Sequence, residues 1–409
     1  MSEQQSKLEA DRQLLADAQA KGGLATLGAY LKLSGPGWLQ SALTLGGGSL
    51  SSSLYLGVLA GFSLLWLQPL AMILGIVMLS AIGYVTMSTG ERPFQAINKH
   101  VNPVLGWGWA LASLLANMVW ALPQYSLATG VVQQNLGANV EFLQGESGKT
   151  TIVSVILLIS VVITWSYGGK GWGVKIYEMF LKLVVALIVA CFIGVVYKLS
   201  VAEDGSLDWG QVWGGFVPNF GAIFTPQEAF DPALAQVGEG FKQYWHDTIV
   251  RDQVDVVISA AATAVGINMT FLFPYSILSR GWGKEFRGLS KFDLSTGMLI
   301  PFLIATSCVV LASASQFHGK PAPGLLDDNV KPSGGAVAGF HTNLAKRIVF
   351  EHKEKYPSVK ALKGALKSDV LKAVNPDEAA AQTAVETEVV AANAAALEGL
   401  EGQKRAEKV

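Results

Sequence analysis

The residues best placed to do chemistry sit where the chain interrupts its own apolar helices. Residues 36–45 read as a helix, and Gly46-Gly47-Gly48-Ser49 follows at once, then Leu50, Ser51, Ser52 and Ser53. Three successive glycines cost a helix about 1 kcal/mol each against alanine. In a bilayer the backbone groups they release cost more, unless they line a cavity. The competing reading is close helix packing, which small residues promote in membranes. Packing favours glycines spaced by four on one face, and these are contiguous. A second interruption lies in Gly266-Ile267-Asn268-Met269-Thr270-Phe271-Leu272-Phe273-Pro274-Tyr275, where Asn268, Thr270 and then Pro274 fall in mid-span. Proline frees a carbonyl and bends a helix, and a plain proline kink is the competing reading there. Paired interruptions in corresponding segments are the sequence mark of a transporter's binding site. Gln40, Asn117 and Gln124 are further polar residues within apolar runs. Interhelical hydrogen bonds are the ordinary use of such groups, and Gln124, beside Pro123, is the strongest site candidate of the three.

The elements that carry these residues are membrane spans. The chain is 51% hydrophobic and 15% charged, with a mean hydropathy of +0.37, against about 25% charge in soluble domains. No Asp, Glu, Lys or Arg occurs from Leu33 to Gly90, nor from Val101 to Val140. A spanning helix needs roughly 20 apolar residues. Spans are predicted over 35–59, 64–85, 104–130, 151–167, 179–197, 256–279 and 294–317. This excludes a soluble enzyme, a secreted disulfide scaffold and a nucleic-acid binder. Cys191 and Cys308 lie inside apolar runs and read as small buried hydrophobes. The eleven tryptophans, Trp38, Trp66, Trp107, Trp109 and Trp172 among them, read as an aromatic belt. With the N-terminus cytoplasmic, the inner loops carry Arg92, Lys99, Lys170, Lys175, Arg280, Lys284, Arg287 and Lys291, and the short outer loops only Lys149. That is a positive-inside pattern. Residues 1–32 are polar and predict a solvated cytoplasmic segment. Residues 318–409 are polar and Ala-rich, and predict a helical tail or an oversized outer loop, with helices starting near Ser358 and Asn375.

Gly35-Pro36-Gly37-Trp38 through Gly61-Phe62-Ser63-Leu64-Leu65-Trp66 resembles the first span of the Nramp (natural resistance-associated macrophage protein) divalent-metal transporters. That span opens with Gly-Pro-Gly-Phe-Leu, continues with Asp-Pro-Gly-Asn and ends with Gly-Tyr-Ser-Leu-Leu-Trp. Lys175-Ile176-Tyr177-Glu178 leading to Ala190-Cys191-Phe192, and Phe273-Pro274-Tyr275 in place of Met-Pro-His, are also similar. The resemblance covers residues 33–318. It implies an all-α, LeuT-like inverted-repeat fold with a mid-membrane metal site between broken first and sixth helices. The departures are at the ligands. The family's metal-binding Asp falls on Gly46 and its Asn on Ser49. Its carbonyl-donating alanine falls on Thr270 and its methionine ligand on Phe273. Its histidines fall on Tyr275 and Arg280, and its third-span acids on Gln124 and Leu127.

No Asp, Glu or His lies in the central part of any predicted span, although such groups usually mark ion and proton paths. A soft-metal site is hard to build without sulfur or imidazole. A hard, partly hydrated cation suits neutral oxygens: carbonyls of Gly46 and Thr270, hydroxyls of Ser49 and Thr44, and the Gln124 amide. The expected substrate-binding residues are therefore Gly46, Ser49, Thr270, Phe273 and Gln124, with Gly46, Ser49 and Thr270 as metal ligands. Gly47, Gly48 and Pro274 are the expected helix breaks. Such a site predicts weak discrimination between hard and soft ions and no proton relay. No cofactor is called for, and the partners are the substrate and the lipid bilayer of a bacterial inner or plasma membrane. A small organic solute on the same fold, or a non-transporting membrane scaffold or sensor, are the alternatives. An inverted-repeat fold pairs five helices with five, so seven spans predict a fragment or truncated product of a longer transporter.

Overall fold

The computed structural model describes residues 3–137, 139–167, 172–201 and 207–322, with 339, 342, 343, 346, 347 and 350. The expected tail helices near Ser358 and Asn375 lie outside the described residues. The chain divides into two compact units, Met1–Thr225 with Ile249–His318, and Pro226–Thr248 with Gly319–Val409.

In chain order the helices are α1 Glu3–Lys21, α2 Gly23–Leu33, α3 Pro36–Thr44, α4 Gly47–Ala60, α5 Leu67–Thr89, α6 Pro93–His100, α7 Pro103–Val131 and α8 Glu141–Gln144. They continue as α9 Glu146–Tyr167, α10 Trp172–Ser200, α11 Trp209–Gly214, α12 Asp231–Gln236, α13 Glu239–Ala264, α14 Ile267–Ser279, α15 Arg287–Leu294 and α16 Ile300–Phe317. A π-helical turn, Ser295–Leu299, joins α15 to α16. No strand occurs among the described residues. Among the described residues six stretches are long and apolar enough to cross a bilayer: Leu67–Thr89, Pro103–Val131, Glu146–Trp165, Leu183–Ser200, Phe241–Ser279 and Lys284–Phe317. The protein is an all-α, multi-pass integral membrane protein. The first predicted span is absent from those six because it is two short helices, α3 and α4.

The larger unit is built around α16. Helix α4 lies along it, with Gly57 at the closest approach: a Cβ there would sit 2.6 Å from the Val310 carbonyl oxygen. Helix α10 packs against α16 as well, and α5 against α14 and α15. One apolar cluster joins Leu45, Met72, Leu79, Met269, Phe273, Leu294 and Phe302. A second joins Leu56, Leu64, Trp66, Val212 and Val310. By contrast α7 and α9 expose their leucines and valines, and α10 its Leu183, Leu187 and Val195, as helices solvated by lipid do. In the smaller unit Tyr244 stacks on Phe350, ring centroids 4.6 Å apart, and Arg347 lies over Phe241.

Two sequence expectations need correcting. The N-terminal segment is not simply solvated: it folds as α1 and α2, Leu15 is buried, and Arg12 Nε donates to Glu285 Oε1 at 2.5 Å. The helix break in the sixth span is not at Pro274, which sits inside α14, but at Val265–Gly266. Gly266 has extended backbone (φ −77°, ψ 159°). At the start of α14 the Met269 N–H donates both to Asn268 Oδ1 at 2.9 Å and to the Gly266 carbonyl at 3.0 Å. The Val265 side chain is seated on Gly75 of α5.

Candidate functional site

The first break is two residues long. Leu45 ends α3, and Gly46 (φ −83°, ψ 176°) precedes α4. Neither backbone is left-handed, so this turn does not call for glycine's special freedom. Gly47 and Gly48 open α4 rather than break it, and they are small for a different reason. A Cβ on Gly47 would lie 2.8 Å from Gln124 Oε1, and one on Gly48 would lie 2.8 Å from a ring carbon of Trp120. The glycine run therefore serves both readings of the sequence, interruption at Gly46 and close packing on α7 at Gly47 and Gly48.

Oxygens converge on this break. The Ser49 hydroxyl donates to the Thr44 carbonyl and, at 3.2 Å, to the Gly46 carbonyl. The Ser51 hydroxyl donates to Gly48 O at 3.1 Å and that of Ser53 to Ser49 O at 2.8 Å. Ser52 pairs with Ser259 of α13 at 2.8 Å. Gln40, one turn before Thr44, is fully buried, and both its amide atoms lack a hydrogen-bond partner. Asn117 turns back to its own helix, donating to Ser113 O at 2.8 Å.

The second break meets the first through a residue that the sequence reading passed over. The Thr44 hydroxyl lies 3.5 Å from the Met269 sulfur, both groups buried. Thr270 follows, its hydroxyl donating to Ile267 O at 2.5 Å and accepting from Trp109 Nε1 at 3.4 Å. Pro274 has no N–H, so the Thr270 carbonyl lacks its usual i+4 donor. Phe273 joins the core cluster of Leu45 and Met269 with its ring toward Gly83 of α5, as wall rather than ligand. Besides reaching Thr270, Trp109 packs its ring against Phe271, tilted by 31° with centroids 4.8 Å apart, so it has a packing role beyond that of a belt residue. Gly46, Ser49 and Gln124 thus gather at the first break, and Thr270 stands beside Met269 at the second. Leu127 reaches Gly47, and Tyr275 stacks on Phe271 instead.

Among the described residues no three His, Cys, Asp or Glu side chains converge. The donor set is carbonyl, hydroxyl and amide oxygen with one thioether. Outside the spans, Lys99 Nζ (2.8 Å) and then His100 Nε2 (3.0 Å) bind the Glu91 carboxylate and hold its pKa below the ordinary value.

Residues 37–327 match the family described as natural resistance-associated macrophage protein-like. Similar curated proteins include human natural resistance-associated macrophage protein 1, 22% identical over 46% of this chain and 32% of that protein. Rat natural resistance-associated macrophage protein 2 is 22% identical over 54% of this chain and 36% of its own. The rice metal transporter Nramp2 is 22% identical over 39% and 29%. The chain spans about a third of the length of these relatives. With a family match over well more than half of its residues and the interrupted first span in place, the chain belongs to the Nramp family.

Proposed function

We propose that residues 33–317 form the membrane-embedded domain of a secondary transporter that moves a divalent metal cation through the site where the two breaks meet. The protein works by transport and not by catalysis. Its N-terminus faces the cytoplasm of a bacterial inner or plasma membrane. The observation that carries the reading is the Thr44–Met269 contact at 3.5 Å, which brings the two interrupted helices together at one point. Around that point lie the Thr44 and Gly46 carbonyls, the Ser49 hydroxyl and the Gln124 amide. Neutral oxygens of this kind suit a cation that keeps part of its water. Family membership and the printed function of the rice relative, a metal transporter, support the same cargo.

The test is uptake into proteoliposomes of magnesium, manganese and cadmium ions beside a panel of amino acids. Saturable uptake of at least one divalent ion is expected. Amino-acid uptake without cation uptake would replace this reading with an organic-solute carrier, and uptake of neither would replace it with a scaffold or sensor.

A further inference from the structure

Asp293 is a carboxylate that the proposed cation path does not use. The sequence places it just ahead of the seventh apolar run, at the border of the spans, yet it is fully buried. Its Oδ1 accepts from the Gly35 N–H at 3.0 Å and from the Ser34 hydroxyl, and its Oδ2 accepts from the Gly37 N–H at 2.6 Å. These donors belong to the start of α3, whose own N-cap, Gly35, supplies no side-chain cap. Asp293 does from a different helix what a capping residue does from its own, and its charge complements the positive end of the helix. The fit is close. A Cβ on Gly37 would lie 2.6 Å from the Asp293 carbonyl carbon and 3.1 Å from its Cγ. The Arg280 guanidinium also lies over Gly35, 3.0 Å from where a Cβ would stand. Beyond Asp293 the chain enters the π-helical turn Ser295–Leu299, which packs along α3. Such turns cluster at functional sites.

We propose that Asp293 is a carboxylate clamp, a positioning residue that holds the half-helix α3 against the start of the seventh span and so keeps the break at Leu45–Gly46 covered. Helix α3 has nine residues, too few to persist on backbone bonds alone. One end is tied by three hydrogen bonds to a single side chain, and the other ends at Gly46. Hydrogen bonds to an ionised group are the strong ones, and all three are lost together when the carboxylate withdraws. Released at Asp293, α3 moves off the start of the seventh span as a rigid body and uncovers Leu45 at its far end. The clamp's part in transport rests on the transport reading above; its geometry does not.

The experiment uses the full chain with Cys191 and Cys308 replaced by alanine and one reporter thiol, Leu45→Cys. Leu45 is 4% exposed at the end of α3. A small thiol reagent then measures how often that end opens. Asp293→Asn keeps the shape of the side chain and removes its charge, and should raise the labelling rate about tenfold or more. Gly37→Ala, which wedges Asp293 away, should act like it, and Ser34→Ala should give a smaller rise. A second reporter, Leu79→Cys in the core of α5, should label at an unchanged rate in all three. Unchanged labelling of Leu45→Cys in folded variants overturns the clamp. So does a parallel rise at both reporters, which marks a general loss of packing. If Asp293→Asn does not fold, Gly37→Ala and Ser34→Ala decide by the same criteria. Absence of cation uptake by the unmodified protein defeats the transport reading and leaves the labelling result standing, so the two failures are told apart.

Discussion

Met269 brings a thioether to the meeting point of the two breaks, 3.5 Å from the Thr44 hydroxyl. Sulfur favours soft ions, and hydroxyl and carbonyl oxygens favour hard ones. On the transport reading proposed above, the pair sets how far the site leans toward cadmium over magnesium. Met269→Leu keeps the volume, at a stability cost under about 1.5 kcal/mol, and removes the sulfur. The cadmium-to-magnesium ratio of uptake should fall about tenfold, worth about 1.4 kcal/mol, while magnesium uptake is retained. An equal fall for both ions would reduce Met269 to a packing residue. The sequence shows Met269 plainly but not its place, because its neighbour Phe273 aligns with the family's methionine and draws the eye. Only the position of the break, four residues upstream of Thr270, decides which side chain faces α3. Gln124 was legible, since a polar residue beside proline in an apolar run stands out. Gln40 was visible as polar, but its unpartnered burial was not.

At the scale of elements, the glycines separate into those that permit contact and those that do not. Gly57 of α4 faces α16, where a Cβ would press on the Val310 carbonyl oxygen and the Ala314 nitrogen, 2.6 and 3.1 Å away. Backbone cannot yield as a side-chain tip can, so Gly57→Ala should cost about 1–3 kcal/mol through overpacking. Gly108 of α7 has nothing within 4 Å of its Cβ position, and Gly108→Ala should be neutral or gain up to about 1 kcal/mol from helix propensity. Thermal unfolding in detergent reads both, and equal shifts would show that helix approach at Gly57 is not limiting. The helical type of the elements was written in the apolar runs, because a bilayer leaves a span few alternatives to helix. The break points were not. A proline within a helix loses a single backbone bond and can stay in place, as Pro274 does, whereas Gly266 breaks the chain without any obvious breaker motif. The fold of residues 3–33 was likewise hidden, since its anchors, Leu8 and Leu15, lie among charged residues with no apolar run around them.

At the scale of the whole molecule, the central parts of the apolar runs carry polarity without Asp, Glu or His. Asp293 stands at the border of the seventh, and its oxygens are already engaged by α3. A serine of α4 gives this arrangement a direction. Ser49, at the break, spends its one hydroxyl proton on backbone carbonyls, so the side it leaves open carries lone pairs. On the transport reading proposed above, this bond dipole favours a cation by orientation and carries no titratable charge. A field made of dipoles cannot be switched off by a proton. Uptake by this protein should therefore proceed between about pH 5 and pH 7, above the ordinary carboxylate range, with no acidification of the vesicle lumen in step with it. Acidification in step with uptake would mean that a group along the path carries protons across. Without it, this chain draws its driving force from the gradient of its own cargo or from another ion.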